Sequence, residues 1–283
     1  MARPIVFLSD YGLEDEFVGI CHGVIARIAP DSRVIDLAHS VPPGDVVRGA
    51  VLLAQSVDYM PEDAVVLAVV DPGVGTNRRA VAVRAVSGRV FVGPDNGLLS
   101  LAWERLGGAA EAAEIRSPDV VLEPTSATFH GREVFAPAAA HLSNGRALGG
   151  LGPPAEPATL VCVEIAQPRV RDGEVRCEVL AVDRFGNVQL SAGPQHLARA
   201  GLRDVDELLV QVDRTETLVR RASTFAELEE GAFGLIVDSR GWLAVVRTAG
   251  SAADALAARE GHSVVVTRSR AGVTAPVQGA PTR

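Results

Sequence analysis

The stretch Val65-Val66-Leu67-Ala68-Val69-Val70-Asp71-Pro72-Gly73-Val74-Gly75-Thr76-Asn77-Arg78 decides the fold. Its six leading apolar residues, mostly β-branched, read as a strand buried on both faces, as in the parallel sheet of an α/β domain. Pro72 and two glycines then impose a tight turn beyond the strand end, where ligands of open α/β sheets gather. Such a turn can aim Asp71 and Arg78 into one crevice. It can equally exist for its geometry alone, with a solvated arginine.

The same rhythm extends to either side. Residues 4–9 read as a strand, and Phe17, Val18, Cys21, Val24, Ile25 and Ile28 recur at helical spacing; residues 33–37 give a second strand and 46–57 a second helix. Strands over 80–84 and 90–92, a short helix after Asp95-Asn96-Gly97 with Asp or Asn as its cap, and a helix over 132–142 follow. Composition shifts to Pro and Gly at Leu151-Gly152-Pro153-Pro154-Ala155-Glu156-Pro157. Beyond it come short strands at 160–165, 175–182, 188–190, 208–212, 234–237 and 243–247, the spacing of a small barrel or sandwich. The expected architecture is an α/β domain with a mainly parallel central sheet over residues 1–152, a smaller β-barrel domain over 160–268, and a disordered tail over 269–283.

Composition narrows the function. The chain has 283 residues, 47% of them hydrophobic, enough for a substantial core. Its net charge is −8 and it contains no lysine, which argues against nucleic acid as a partner. No apolar stretch reaches membrane-spanning length and the N-terminal residues do not read as a signal peptide, so the expected location is the cytoplasm. Cys21, Cys162 and Cys177 lack metal-site spacing and are expected to be buried free thiols. There is no GxGxxG after the first strand, no P-loop, no GxSxG elbow and no HxH or HxxxH pair, which disfavours dinucleotide, phosphate-loop, serine-hydrolase and zinc chemistry.

Four further segments can carry chemistry. Ser9-Asp10-Tyr11-Gly12 places a carboxylate at the end of the first strand, suited to ribose hydroxyls or to capping the following helix. Thr128-Phe129-His130-Gly131 presents a histidine at a helix entrance, suited to acid–base work, although a lone histidine can be structural. Asp183-Arg184-Phe185-Gly186-Asn187 offers an acid for an ammonium, a ring for stacking and an amide for a purine edge; such a turn can also serve shape alone. Ser239 and Arg240 offer a hydroxyl and a guanidinium for a carboxylate. Together the last two turns could hold both ends of an amino acid.

These segments in this order, with His39-Ser40-Val41-Pro42-Pro43-Gly44-Asp45 and Pro94-Asp95-Asn96-Gly97-Leu98-Leu99, resemble the S-adenosyl-L-methionine hydroxide adenosyltransferase (SAM hydrolase) family. Fluorinases and chlorinases are more distant relatives. The resemblance spans residues 4–267. It implies an N-terminal α/β domain, a C-terminal β-barrel, and a homotrimer with active sites between subunits. It also implies hydrolysis of S-adenosyl-L-methionine to adenosine and L-methionine, by in-line attack of water on the ribose C5′, without metal or organic cofactor. Carried onto this sequence, the catalytic set is Asp71, Arg78 and His130, with Arg79 adjacent to the chosen arginine. Asp10 would hold the ribose hydroxyls, Asn187 and the backbone near Ala249 the adenine, and Phe185 and Phe225 would supply ring contacts. Asp183 would take the methionine ammonium, and Ser239 and Arg240 its carboxylate. The halogenating relatives carry Tyr at the match to Asp71, and fluorinases carry an insertion where this chain has only residues 85–88. Both departures favour water over halide. Gly44 stands where relatives often place an aromatic. The rival readings are a noncatalytic adenosine or S-adenosylmethionine binding module and an S-adenosylmethionine-dependent halogenase.

Overall fold

The computed structural model describes residues 2–269, which part into two compact units between Glu164 and Ile165. All but the first residue of the expected tail therefore lies outside the described residues.

The N-terminal unit is built on β1 (Ile5–Ser9), β2 (Val34–Ala38), β3 (Val65–Val69), β4 (Ala80–Ala85), β5 (Val90–Pro94), β6 (Ala109–Glu114) and β7 (Pro154–Ala155). They form one sheet in the order β2-β1-β3-β5-β4-β6-β7. The four strands from β2 to β5 in that order run parallel, and the β5–β4, β4–β6 and β6–β7 pairs are antiparallel. The helices are α1 (Phe17–Ile28), α2 (Val46–Ser56), α3 (Ser100–Arg105) and α4 (Ala136–Ser143).

Strand periodicity explains the layering. Side chains alternate across a sheet, so Val65, Leu67 and Val69 join one core with α1 and α4, while Val66, Ala68 and Val70 join another with α2 and α3. Every residue of β1 and β3 is buried because both faces are covered. The helix expected over 132–142 opens instead with a wide π-type turn, Gly131–Phe135, before α4 begins. π-turns of this kind occur often at functional sites. Residues 160–165 form no strand: Cys162 makes one isolated bridge to Gly97, and Val161 and Val163 donate their amides to Asp95 and Ser100 side chains. Those contacts, with β7 on the sheet edge, keep the segment after Pro153 with the N-terminal unit. Cys162 is exposed, unlike Cys21 and Cys177, because its bridge lies at the surface and not inside a strand pair.

The C-terminal unit contains β8 (Arg169–Arg171), β9 (Glu174–Val182), β10 (Val188–Leu190), β11 (Glu207–Val212), β12 (Thr215–Arg221), β13 (Phe233–Val237), β14 (Leu243–Arg247) and β15 (Ser263–Arg268). Pairing of β10 with both β14 and β9 closes seven of them, β9 to β15, into a barrel; β8 adds to the outside of β9. Closure removes the free edges that an open sheet would expose. In β11, Leu208, Val210 and Val212 face the core while Glu207 and Gln211 face out, which is the alternation a one-sided sheet demands.

Gly75 fixes the turn after β3. It sits at φ +76, and a Cβ there would run into the Ala127 carbonyl oxygen, so the turn and the 127–130 segment approach backbone to backbone. Gly75→Ala is expected to cost about 1–3 kcal/mol from strain and this clash. Gly88→Ala, at positive φ but with open space around it, should cost less; urea unfolding of the two variants compares them.

Candidate active site

Asp71 follows the end of β3, and its carboxylate is gripped by Arg78 from the far side of the same turn. The Arg78 Nε lies 3.0 Å from both carboxylate oxygens, and Nη2 also reaches Oδ2. Val74 and Thr76 amides close the turn onto the Asp71 and Gly73 carbonyls, and the Thr76 hydroxyl takes the Arg78 amide. The pair is largely desolvated, with side-chain exposures of 7% for Asp71 and 11% for Arg78, so the salt bridge forms in a low dielectric. The guanidinium also lies over the Phe135 ring at 5.1 Å.

Arg78 Nη2 is 2.7 Å from His130 Nδ1. A guanidinium only donates, so Nδ1 must be the acceptor, and the proton of the neutral ring sits on Nε2. The electrostatics agree with a neutral ring: burial and the adjacent Arg78 charge push His130 below its ordinary pKa, against a smaller upward pull from Asp71 and Glu133. Arg78 therefore connects a carboxylate and a neutral imidazole donor. Arg79 does different work. It binds Asp95 and the Thr159 hydroxyl and carbonyl, tying the chain after β7 to the loop after β5.

Asp10 lies at the end of β1, with its amide donating to Val69 of β3 and its Oδ2 accepting from the Gly44 amide at 2.8 Å. It does not cap α1, whose N-cap residue is Glu16, which makes no side-chain capping bond. Burial raises the Asp10 pKa, and the Gly44 hydrogen bond partly offsets this. Asp10, Tyr11, Gly44, Asp71, Phe129 and His130 are among the residues lining a cavity of about 100 Å³. Tyr11 packs edge-on against Phe129, and burial drives its hydroxyl well above the usual phenol range, so it stays protonated. Tyr11 is a wall residue that sequence reasoning passed over; its only signal was its place beside Asp10. Asn96, in the quoted Pro94–Leu99 motif, is structural: it donates to the Val70 carbonyl and accepts from the Leu98 amide, bracing the end of β3.

In the C-terminal unit, the Asp183–Asn187 turn joins β9 to β10. Asp183 Oδ1 accepts the Phe185 and Asn187 amides, and Oδ2 accepts the Asn187 side-chain amide at 2.7 Å. That last bond orients Asn187 so that its carbonyl oxygen points away from Asp183. Phe185 is 72% exposed, with Arg184 over its ring. Gly186, at φ +80, presses so close to Ser251 that a Cβ would overlap the hydroxyl, which seats this turn against the loop after β14; Ala249, at φ +52, lies two residues before Ser251 in that loop. Ser239 and Arg240 are exposed on the β13–β14 hairpin, whose Asp238 accepts the Arg240 and Trp242 amides and the Gln189 side chain of β10. Phe225 is half-exposed on a short helical turn after β12. The structure thus groups Asp71, Arg78, His130 and Asp10 in one unit, and groups Asp183, Phe185 and Asn187 in one turn of the other, with Ala249 in the loop that this turn meets at Ser251. Ser239, Arg240 and Phe225 occupy separate loops of that second unit.

Comparison with known proteins gives a consistent set of relatives. Residues 5–152 match the SAM hydroxide adenosyltransferase N-terminal domain, and residues 177–265 match the C-terminal domain of the same family. The chain is 48% identical to "(R)-S-adenosyl-L-methionine hydrolase" of Salinispora tropica, covering 93% of this chain and 97% of that one. It is 45% identical to the protein of the same name from Thermus thermophilus, over 93% and 98% of the two chains. A fluorinase of Actinopolyspora mzabensis is 33% identical over 95% and 98%. Among solved structures, an uncharacterized conserved protein from Thermotoga maritima superposes with a TM-score of 0.86 at 35% identity, covering 93% of this chain and all of that one.

The Arg78–His130 contact has a spectroscopic consequence. Nuclear magnetic resonance titration should place the His130 midpoint below 6.5, and Arg78→Gln should move it upward, because the variant removes a neighbouring positive charge and frees Asp71. A downward movement would contradict the arrangement.

Proposed function

The chain belongs to the SAM hydroxide adenosyltransferase family, and from that premise we propose that it hydrolyses S-adenosyl-L-methionine to adenosine and L-methionine. The observation that carries this reading is the Asp71–Arg78–His130 chain on the wall of a small cavity that also holds Asp10. In the proposed reaction a water oxygen attacks C5′ in line with the sulfonium. The C5′–S bond breaks with its electron pair on sulfur, which leaves as a neutral thioether, so the leaving group needs no acid. What the reaction lacks is a good nucleophile, and supplying one is a matter of position and proton acceptance.

The proton arrangement supports a division of roles. His130 Nδ1 is committed to Arg78, and the Nε2–H of the neutral ring is a donor, suited to orienting the water through its oxygen. Asp71 is then the acceptor of the water proton, and Arg78 stabilises hydroxide character and holds both partners in place. Asp10 takes the ribose hydroxyls, Asn187 with the Ala249 backbone the adenine, and Phe185 and Phe225 its ring. Asp183 takes the ammonium, and Ser239 with Arg240 the carboxylate. Under this proposal residues 1–152 activate water and 160–268 complete substrate recognition. A homotrimer in the cytoplasm, with subunits sharing each site, is the assembly this reading carries; Cys21, Cys162 and Cys177 are free thiols, as a reducing compartment keeps them.

Two features favour water over halide. A carboxylate at position 71 repels an incoming anion. The β4–β5 connection is a tight turn, closed by the Gly88 amide on the Ala85 carbonyl, with no inserted segment.

Chromatography of products in ¹⁸O-water tests the proposal, with both sulfonium epimers supplied because the relatives' names specify (R). The expected outcome is adenosine labelled at the 5′ oxygen, with no 5′-halo product when chloride or fluoride is added. Binding without turnover would leave only a binding module. Asp71→Asn should lower kcat by about a hundredfold or more with little change in KM, since it removes the proton acceptor and keeps the shape. Light scattering of the purified protein checks the trimer; a monodisperse monomer with full activity would remove it.

A further inference from the structure

Beside the site lies a second chain of polar groups that the proposed chemistry does not use. Ser9 and His39 are buried, at 0% and 5% exposure, and lead outward to Asp36, whose side chain is 45% exposed. The Ser9 hydroxyl is 2.7 Å from His39 Nδ1, and His39 Nε2 is 2.9 Å from Asp36 Oδ1, which His22 Nε2 also meets at 2.9 Å. The constellation has the residue types of a nucleophilic triad, but a serine with no exposed surface cannot reach a substrate. Its role must be exerted through what it holds.

Proton directions follow from the inventory of donors. The carboxylate accepts, so His39 donates from Nε2, which leaves Nδ1 able to accept from the Ser9 hydroxyl. The Ser9 oxygen is then left to receive the Tyr11 amide, a long contact at 3.4 Å. Burial pushes Asp36 up, but the hydrogen bonds from His39 and His22 outweigh it and hold the carboxyl below its ordinary range, so the acceptor end stays charged. The His39 ring stands edge-on to Phe7 of β1 at 4.7 Å, which fixes its plane.

Three bonds consequently stitch the residues that follow β2 to the end of β1. They are Ser9 to the His39 ring, the Gly12 amide to the His39 carbonyl at 2.7 Å, and the Gly44 amide to Asp10 Oδ2. Asp10 lies between the first two anchors and is the target of the third. We infer that the Asp36–His39–Ser9 chain is a positioning device for the ribose grip, holding the strand end so that the Asp10 carboxylate meets the sugar hydroxyls. A hydrogen-bonded chain suits this task, because it fixes direction while its one carboxylate, Asp36, stands at the end of the chain away from Ser9 and Asp10. The inference rests on the reading of Asp10 as the ribose-binding group.

The test compares S-adenosyl-L-methionine with its 2′,3′-dideoxyribose analogue, using the full chain. Wild type should prefer the hydroxylated substrate in kcat/KM. Ser9→Ala should reduce that preference by about fivefold to tenfold, the effect of one misdirected hydrogen bond, chiefly through KM for the natural substrate. His39→Asn should reduce it by a similar factor, and the double variant by no more than either single one, because the two residues act as one chain. Ser9→Thr keeps the hydroxyl and should restore the preference. Equal losses on both substrates, or full preference in Ser9→Ala, would overturn the inference. Asp10→Asn separates the two readings. If it retains the full preference, the ribose assignment of Asp10 fails and the chain's role with it. If it loses the preference while Ser9→Ala retains it, only the chain's role fails.

Discussion

The Arg78 guanidinium is the constraint on which the site depends. It joins Asp71 just past the end of β3 to His130, 52 residues beyond Arg78 itself, and it does so with an acid–guanidinium pair that is mostly out of water. The carboxylate is not tolerable there alone: buried without its counter-charge it costs several kcal/mol, on the order of what a whole cavity-forming mutation costs. The same contact fixes the imidazole tautomer, because a guanidinium can only donate. One side chain thus holds the carboxylate, sets the imidazole tautomer and fixes the distance between the two loops that carry them.

Those loops can meet because of how the sheet is layered. Val65, Leu67 and Val69 pack toward α1 and α4, and the Phe135 ring under the Arg78 guanidinium belongs to that same core. The turn after β3 and the π-turn before α4 are therefore on one side of one sheet. Backbone contact at Gly75 brings them closer than any side chain would permit. Parallel strands matter here: β1, β2 and β3 all end at the same edge, so Asp10 and Asp71 arrive together although 61 positions separate them in the chain.

The proposed chemistry asks little of the protein in bond-making terms and much in placement. A sulfonium leaves without help, so what remains is to hold water, carbon and sulfur in line. Family membership and the acid at position 71 point the same way, toward water as the nucleophile.

Much of this was legible in the sequence, and the exceptions have physical causes. The runs at 4–9 and 65–70 identify buried parallel strands because nothing but double-sided burial tolerates so many consecutive apolar residues. The barrel was legible from the spacing of turns, yet β12 was not, because Thr215-Glu216-Thr217-Leu218-Val219-Arg220-Arg221 shows its polar outer face more strongly than its one deeply buried residue, Val219. β6, Ala109-Ala110-Glu111-Ala112-Ala113-Glu114, has the composition of a helix and becomes a strand only because β4 offers it an edge to pair with. The choice between Arg78 and Arg79 could not be made from two adjacent identical residues; their opposite directions along the chain after the turn decide it, one toward Asp71 and the other toward Asp95. Likewise His39 and Ser9 open two separate motifs, 30 positions apart, and become one hydrogen-bonded chain only where β1 and β2 lie side by side. Sequence alone determined which strands are buried and which residue types stand at their ends, because periodicity and composition are local. Tertiary structure decided which of those residues touch, because hydrogen bonds and charge pairing act over a few ångströms, whatever the distance along the chain.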